Sequence, residues 1–249
     1  MFPAMAKDPR FTWFLEQMAT LGYAGAYHVL DAARYGVPQR RRRLIYLGGQ
    51  FGVVQFAEES SPTLTVRSAI EHLPPPGRSG DPLHDIPERR SPRIQALIDL
   101  IPPDGGSRAS LPSSYRLACH ERCDGFRDVY GRMAWDRVAP TITGGCVNPS
   151  KGRFLHPDQP RTITLREAAL LQGFPEDYRF SLRRGKFAIA ILIGNALPPE
   201  FARRHAERVR RYVETNGLRP METDMWLPSL FSADAVQTPT SRRVGFGGG

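Results

Sequence analysis

Apolar positions along the chain switch between two periods. Phe11, Phe14, Leu15, Met18 and Leu21 recur at helical spacing behind Asp8-Pro9 and stop at Gly22. Asp at the N-cap, Pro in the first turn and Gly at the end predict a helix. Tyr23–Leu30 and Arg42–Leu47 read as strands. Only the loop Asp31–Gln39 joins them, so they pair antiparallel. Short helical patterns follow at Val66–Leu73 and Ser91–Ile101, between breaker clusters PPPGRSGDP and IPPDGGSR. Tyr115–Thr143 has short strand-like runs and Gly-marked turns.

Thr164-x-x-Glu167 is a capping box before an apolar run that ends at Gly173, and Ile163 could staple its entry. Pro199 starts a last helix that runs to Gly217. Phe201, His205, Val209 and Val213 lie on one stripe, with Glu200–Arg204 and Glu207–Arg211 at ion-pair spacing. From Pro220 there is no period, and the chain finishes in GFGGG, which reads as a disordered tail.

The chain has 249 residues, 41% of them hydrophobic, with 34 Lys+Arg against 25 Asp+Glu and net charge +9. Three of the cations are lysine (Lys7, Lys151, Lys186), so 31 are arginine, the fork that pairs bidentately with phosphate and guanine. A GC-rich genome would also enrich arginine, so the bias makes nucleic acid a leading partner without proving it. Three cysteines, no apolar h-region at the start and no apolar run of membrane length predict a soluble cytoplasmic protein without disulfides or a membrane. CHERC (Cys119–Cys123) offers soft ligands but no clear fourth partner, so no metal site is expected.

Three strings carry chemistry. PQRRRR occupies Pro38–Arg43. Alternation along a strand puts Gln39, Arg41 and Arg43 on one side, Arg40 and Arg42 on the other. Taken alone, these arginines are as well explained by a solvated strand end. RTITLREAALLQGFP runs from Arg161 to Pro175, and GNALPP from Gly194 to Pro199.

In this order, and with YGV before the first, the strings resemble the late motifs of the DNA (cytosine-5) methyltransferases. The resemblance covers about Phe11 to Thr215 and is weak between Ser60 and Ser110. Leu197 replaces the usual Val. The family's Phe-x-Gly-x-Gly, Pro-Cys-Gln and Glu-Asn-Val motifs do not occur in the 249 residues. None of Cys119, Cys123 and Cys146 has nucleophile-loop neighbours.

The resemblance implies an α/β fold, the C-terminal portion of an S-adenosylmethionine-dependent, Rossmann-like methyltransferase with an antiparallel edge strand. A small loop-rich target-recognition domain is added. Residues 1–59 would close the catalytic domain, 60–150 form the recognition domain, 151–219 return to the catalytic domain and 220–249 form the tail. It further implies Gln39, Arg41 and Arg43 at the active site. Arg43 would face the oxygen of an extruded cytosine, and Arg41 a phosphate or an acidic partner. Asn195, Ala196 and Leu197 would touch S-adenosylmethionine. Arg40, Arg42, Thr141, Asn148, Ser150, Lys151 and Arg153 would contact double-stranded DNA. Arg161, Arg166 and Glu167 would be structural.

The nucleophile and most of the cofactor pocket would come from an N-terminal half, as a second polypeptide or as upstream sequence. Restriction-modification or a regulatory role would be the setting, and a catalytically inactive DNA-binding remnant is the alternative. If the chain stands alone, Phe11, Phe14, Leu15, Ile189, Leu192, Phe201 and Val209 would form an exposed apolar patch. His28 and His205 are expected in a core or an interface.

Overall fold

The computed structural model describes residues 3–116 and 128–217. The fold is α/β with one small antiparallel sheet. Helix α1 spans Pro9–Thr20, with the Asp8 side chain accepting from the Arg10 N–H as N-cap. Strands β1 (Ala24–Asp31) and β2 (Arg42–Gly49) pair antiparallel, with Tyr27 opposite Tyr46. Phe11 meets Tyr27 edge-on at 5.0 Å, and Phe14 meets Tyr46 at 5.2 Å, so α1 covers one face of the sheet.

Two glycines make room for that contact. A Cβ on Gly25 would lie 2.2 Å from the Tyr46 hydroxyl, and one on Gly48 would lie 2.5 Å from it. Gly25→Val should therefore swing Tyr46 off Phe14 and cost about 1 kcal/mol. A double-mutant cycle in urea checks this, because the cost should shrink in a Tyr46→Ala background.

The loop between the strands begins with a short 3-10 turn, Ala32–Tyr35, and Gly36 at φ 79° turns it back. Tyr35 and Val37 bury there with Ala32 and Phe201. Phe201 belongs to α6 (Pro199–Thr215), which packs on this loop. His205 stacks among Tyr35, Phe56 and Phe201, while His28 is exposed and meets Phe56 edge-on. Arg203 pairs with both Glu200 and Glu207, and Arg204 with Glu200, so Glu207 pairs one turn back at Arg203.

The largest core joins α2 (Val66–Ile70), α4 (Leu165–Leu171) and α5 (Gly185–Asn195) with Leu83, Met133, Trp135, Ile142, Cys146 and Ile163. Helix α2 is shorter than its pattern predicted and ends at Ile70. A smaller core surrounds α3 (Pro92–Asp99), whose cap is Ser91. The fully buried Arg132 secures that helix end. Its guanidinium donates to the carbonyls of Ile98, Ile101, His156 and Gln159.

Within residues 128–162 the strand-like runs make isolated bridges, Arg132 with Leu155 and Leu155 with Thr162. Residues 1–210 form one compact unit. Of the second, 211–249, residues 211–217 are described, where the Asn216 amide donates to the Tyr212 carbonyl. CHERC and the tail from Pro220 lie outside the described residues.

The expected apolar patch is corrected. Phe11, Ile189 and Phe201 are 3%, 1% and 2% exposed, because the sheet, the main core and the Tyr35 loop already cover them. Leu192 and Val209 are exposed, and Phe14 and Leu15 are half-buried. Among the described residues, no helix is long and apolar enough to cross a membrane.

Candidate active-site cavity

The segment Gln39–Arg43 threads between the sheet and the core. Gln39 bridges to Ala139, and the Arg40 N–H donates to the Ala139 carbonyl. Alternation holds: Arg40 and Arg42 are exposed, Gln39 and Arg41 buried, Arg43 half-buried. Gln39 is wholly enclosed, so it lies beneath the cavity surface. Its Oε1 accepts from the Ile142 N–H at 2.9 Å, and its Nε2 donates to the Leu171 carbonyl and the Gln172 side chain. Gln172 in turn donates to the Ala196 carbonyl at 2.7 Å. This chain of amides ties the arginine segment, the end of α4 and the turn after α5 into one frame. The string LLQGFP contains Gln172, but no sequence signal marks it as a link.

Arg41 is 4% exposed, and among the described residues no carboxylate pairs with its side chain. It donates to the Ile142 carbonyl at 3.1 Å and the Gly194 carbonyl at 2.9 Å, and its buried Nε has no partner among the described residues. Burial, then repulsion from Arg43, lowers its pKa to about 10. Burial also lowers that of Arg43. Two guanidiniums thus share the wall of a cavity of about 580 Å³ with Thr141, Thr143, Gly144, Gly194 and Asn195. A desolvated pair of cations stabilises negative charge where charge develops, because it needs no reorganisation to do so.

Gly194 lets α5 reach this wall. A Cβ there would stand 2.2 Å from the backbone at Thr143–Gly144, so only glycine allows the approach. The following turn presents Asn195 and Leu197 outward, with Ala196 half-buried.

The expected DNA contacts divide into groups. Arg40, Arg42 and Lys151 are exposed. Thr141 donates to the Arg40 carbonyl at 2.7 Å, which joins it to the arginine segment. Asn148 caps the turn Pro149–Lys151, accepting from the Ser150 backbone and hydroxyl. Arg153 donates to the carbonyls of Gly105, Gly106 and Arg132 and to Asp128, so its fork is engaged with the protein. Thr143 and Gly144 line the cavity unannounced by the sequence.

Arg161 and Glu167 form a two-point ion pair, and Glu167 also accepts from the Thr164 N–H. Arg166 binds Asp81 and the Tyr178 carbonyl. Among the described residues, no His/Cys/Asp/Glu cluster could hold a metal. Cys146 is fully buried, and burial pushes its thiol up to about 12, which excludes thiolate chemistry at neutral pH. Cys146→Ala should cost about 1 kcal/mol in a chemical melt.

A family profile described as C-5 cytosine-specific DNA methylase matches residues 4–211. The type II methylase M.HgiDII of Herpetosiphon aurantiacus is 35% identical over 82% of this chain and 60% of its own length. The type II methyltransferase M1.BsuMI of Bacillus subtilis is 32% identical over 79% of this chain and 46% of its own. The chain thus spans about half the length of the curated relatives it matches. A crystal structure described as a prophage-encoded DNA modification methyltransferase of E. coli superposes with TM-score 0.55 at 19% identity. That match covers 86% of this chain and 67% of the other.

Proposed function

The chain belongs to the C-5 cytosine-specific DNA methylase family, and from that membership we propose that it forms the DNA-facing part of a DNA cytosine-5 methyltransferase. The observation that carries this is the convergence of the arginine segment and the GNALPP turn on one cavity with two desolvated guanidiniums. The reading takes the chain as the C-terminal portion of a Rossmann-like catalytic domain, with residues 60–150 as its target-recognition domain. The nucleophile and most of the cofactor pocket come from sequence outside the 249 residues. That is consistent with the absence of a Pro-Cys-Gln string and with the 60% and 46% spans.

In the assembled enzyme a cytosine leaves the duplex and enters the cavity. A Cys thiolate supplied by the other part adds to ring carbon 6, carbon 5 takes the methyl, and loss of the carbon 5 proton expels the thiolate. S-adenosylmethionine supplies that methyl as an electrophile. The residues of this chain act on charge and position. Addition at carbon 6 moves negative charge toward the ring oxygen, where Arg43 stabilises it. Arg41 holds the Ile142 loop and α5 at fixed distance, and its remaining charge faces a phosphate or an acidic group. Gln39 is a positioning residue. Asn195 and Leu197 would border the methyl donor when it is bound.

Mixing the chain with a polypeptide that carries the nucleophile and cofactor motifs, then measuring tritiated methyl incorporation, is the test. Transfer should appear only in the mixture. Transfer by the chain alone would overturn the division of labour.

Duplex binding by the chain alone should be weak and salt-sensitive. If Arg40, Arg42 and Lys151 neutralise about three phosphates, affinity should fall about 40-fold between 50 and 200 mM salt. A fluorescence-anisotropy titration reads the slope, and Arg40→Ala with Arg42→Ala should reduce it by about two phosphates' worth. A flat salt dependence would remove these residues from the interface.

A further inference from the structure

A second cavity, of about 280 Å³, opens where the first residues of α3 and α5 meet the turn at Asn148-Pro149. Its wall sets three cations, Arg89, Arg90 and Lys186, against one carboxylate, Glu88. Glu88 is already engaged by Arg90 and by the Thr162 hydroxyl. The Arg90 side chain is 10% exposed. Its Nη2 donates to the Thr162 hydroxyl at 2.9 Å, while its buried Nη1 has no partner among the described residues. An unused buried donor is costly, and an acceptor brought to it recovers that cost. Lys186 forms no ion pair among the described residues; its ammonium lies 5.4 Å from the centre of the Phe187 ring. Asn148 commits its Oδ1 to Ser150, and its Nδ2 has no partner among the described residues. No side chain caps α5, and Ser91 satisfies only one donor of α3. Both helix N-termini therefore add positive potential at this place.

A third cavity, of about 310 Å³, adjoins this one, since Glu88, Val147 and Lys186 line both. Its other walls are mainly apolar, with Leu83, Ile86 and Ile163 among them. The charged groups in it are engaged: Asp85 accepts from Gly77, Ser79 and Gly80, and Arg161 holds Glu167. We propose that the two adjoining cavities form one site for a phosphate ester. The phosphate sits against Arg90, Lys186 and Asn148, and the apolar group of the ester fills the neighbouring cavity. Donors reach the basic end from the residues before α3, from α5 and from the Asn148 turn. Donors on several sides suit a tetrahedral oxyanion better than a flat carboxylate, and helix N-termini favour it. The site shares no lining residue with the cavity of Arg41 and Arg43, and it stands apart from the methyl-transfer reading.

The full chain carrying Arg43→Met, which weakens the other anion-binding wall, is titrated calorimetrically with phenyl phosphate and with inorganic phosphate at constant ionic strength. Phenyl phosphate should bind one to one, about tenfold tighter than inorganic phosphate, because its ring leaves water. Lys186→Met should weaken both probes about tenfold, the worth of one hydrogen bond to a charged group. Ile86→Ser, in the apolar cavity, should weaken phenyl phosphate alone. Arg90→Lys keeps the charge, loses the fork and should act as Lys186→Met does. If Arg90→Lys disturbs the fold through Glu88, Lys186→Met still decides, because Lys186 has no ion pair among the described residues to lose.

No binding of phenyl phosphate, equal affinity for the two probes, or binding unmoved by Lys186→Met overturns the assignment. Saturating duplex added first separates the two sources of such an ester. Loss of phenyl phosphate binding in its presence gives the site to a nucleotide of the duplex, and retained binding gives it to a free ester. Methyl incorporation in the complemented mixture reports separately on the functional reading.

Discussion

Arg43→Met should lower methyl transfer in the complemented enzyme about 100- to 1000-fold, the usual cost of removing one fixed donor from a developing charge. The thermal melt should barely move, because Arg43 is half-buried and its burial lowers its pKa, so the fold gains little from its charge. Arg41→Met should behave differently. It removes two donors from the carbonyls of Ile142 and Gly194, so both activity and the melt should fall. Because Arg41 and Arg43 repel each other, an anion seated between them relieves both. Inorganic phosphate should therefore raise the melting temperature of the parent chain more than that of the Arg43 variant. Equal turnover in parent and Arg43→Met would show that the ring oxygen is stabilised elsewhere.

Local chemistry was legible along the chain; partnership across it was not. Asp8-Pro9, Thr164 with Glu167, and Ser91 announced their helix starts, because a cap is a contact between near neighbours. The antiparallel strands followed from a loop too short for a crossover. The alternation of the four arginines followed from the strand period.

Nothing local showed that Gln39 is enclosed, since its partners Leu171 and Gln172 lie more than 130 positions away. The period of α5 was silent for a related reason. A helix apolar on both sides gives no sign of which half faces the core, and the choice is made by Gly194 against Gly144. Arg132, rich in potential for DNA, is spent on four carbonyls around α3. An arginine-rich composition therefore overstates the cations available to a ligand.

The capping box beneath the cavity should be the most costly place to disturb the fold. Glu167 is 1% exposed, receives both ends of the Arg161 fork at 2.7 and 2.8 Å, and accepts from the Thr164 N–H at 2.7 Å. Burial raises its pKa, but Arg161, His156 and the Thr164 N–H together outweigh burial and hold it below the ordinary carboxylate range. Glu167→Ala leaves a largely buried guanidinium without its partner, and should cost about 3–5 kcal/mol in a urea melt.

The acid response should come in two stages. His156 accepts the N–H groups of Asp158 and Gln159 at Nδ1, so its proton sits on Nε2, 3.8 Å from Glu167. Burial lowers its pKa from 6.5 to about 4. The folded state therefore disfavours the charged ring. Stability is full above pH 6.5 and falls by about 3 kcal/mol as pH drops to 4, because the unfolded chain takes up the proton first. Below that, protonation of Glu167 lowers stability further, since a depressed carboxylate contributes fully above its unfolded pKa and loses that contribution as pH falls through its folded one. His156→Phe should shrink the upper stage and leave the lower one in a series of melts from pH 7 to 3, with the remainder of the upper stage coming from His205, whose pKa burial also lowers. An unchanged upper stage would place that proton on another group.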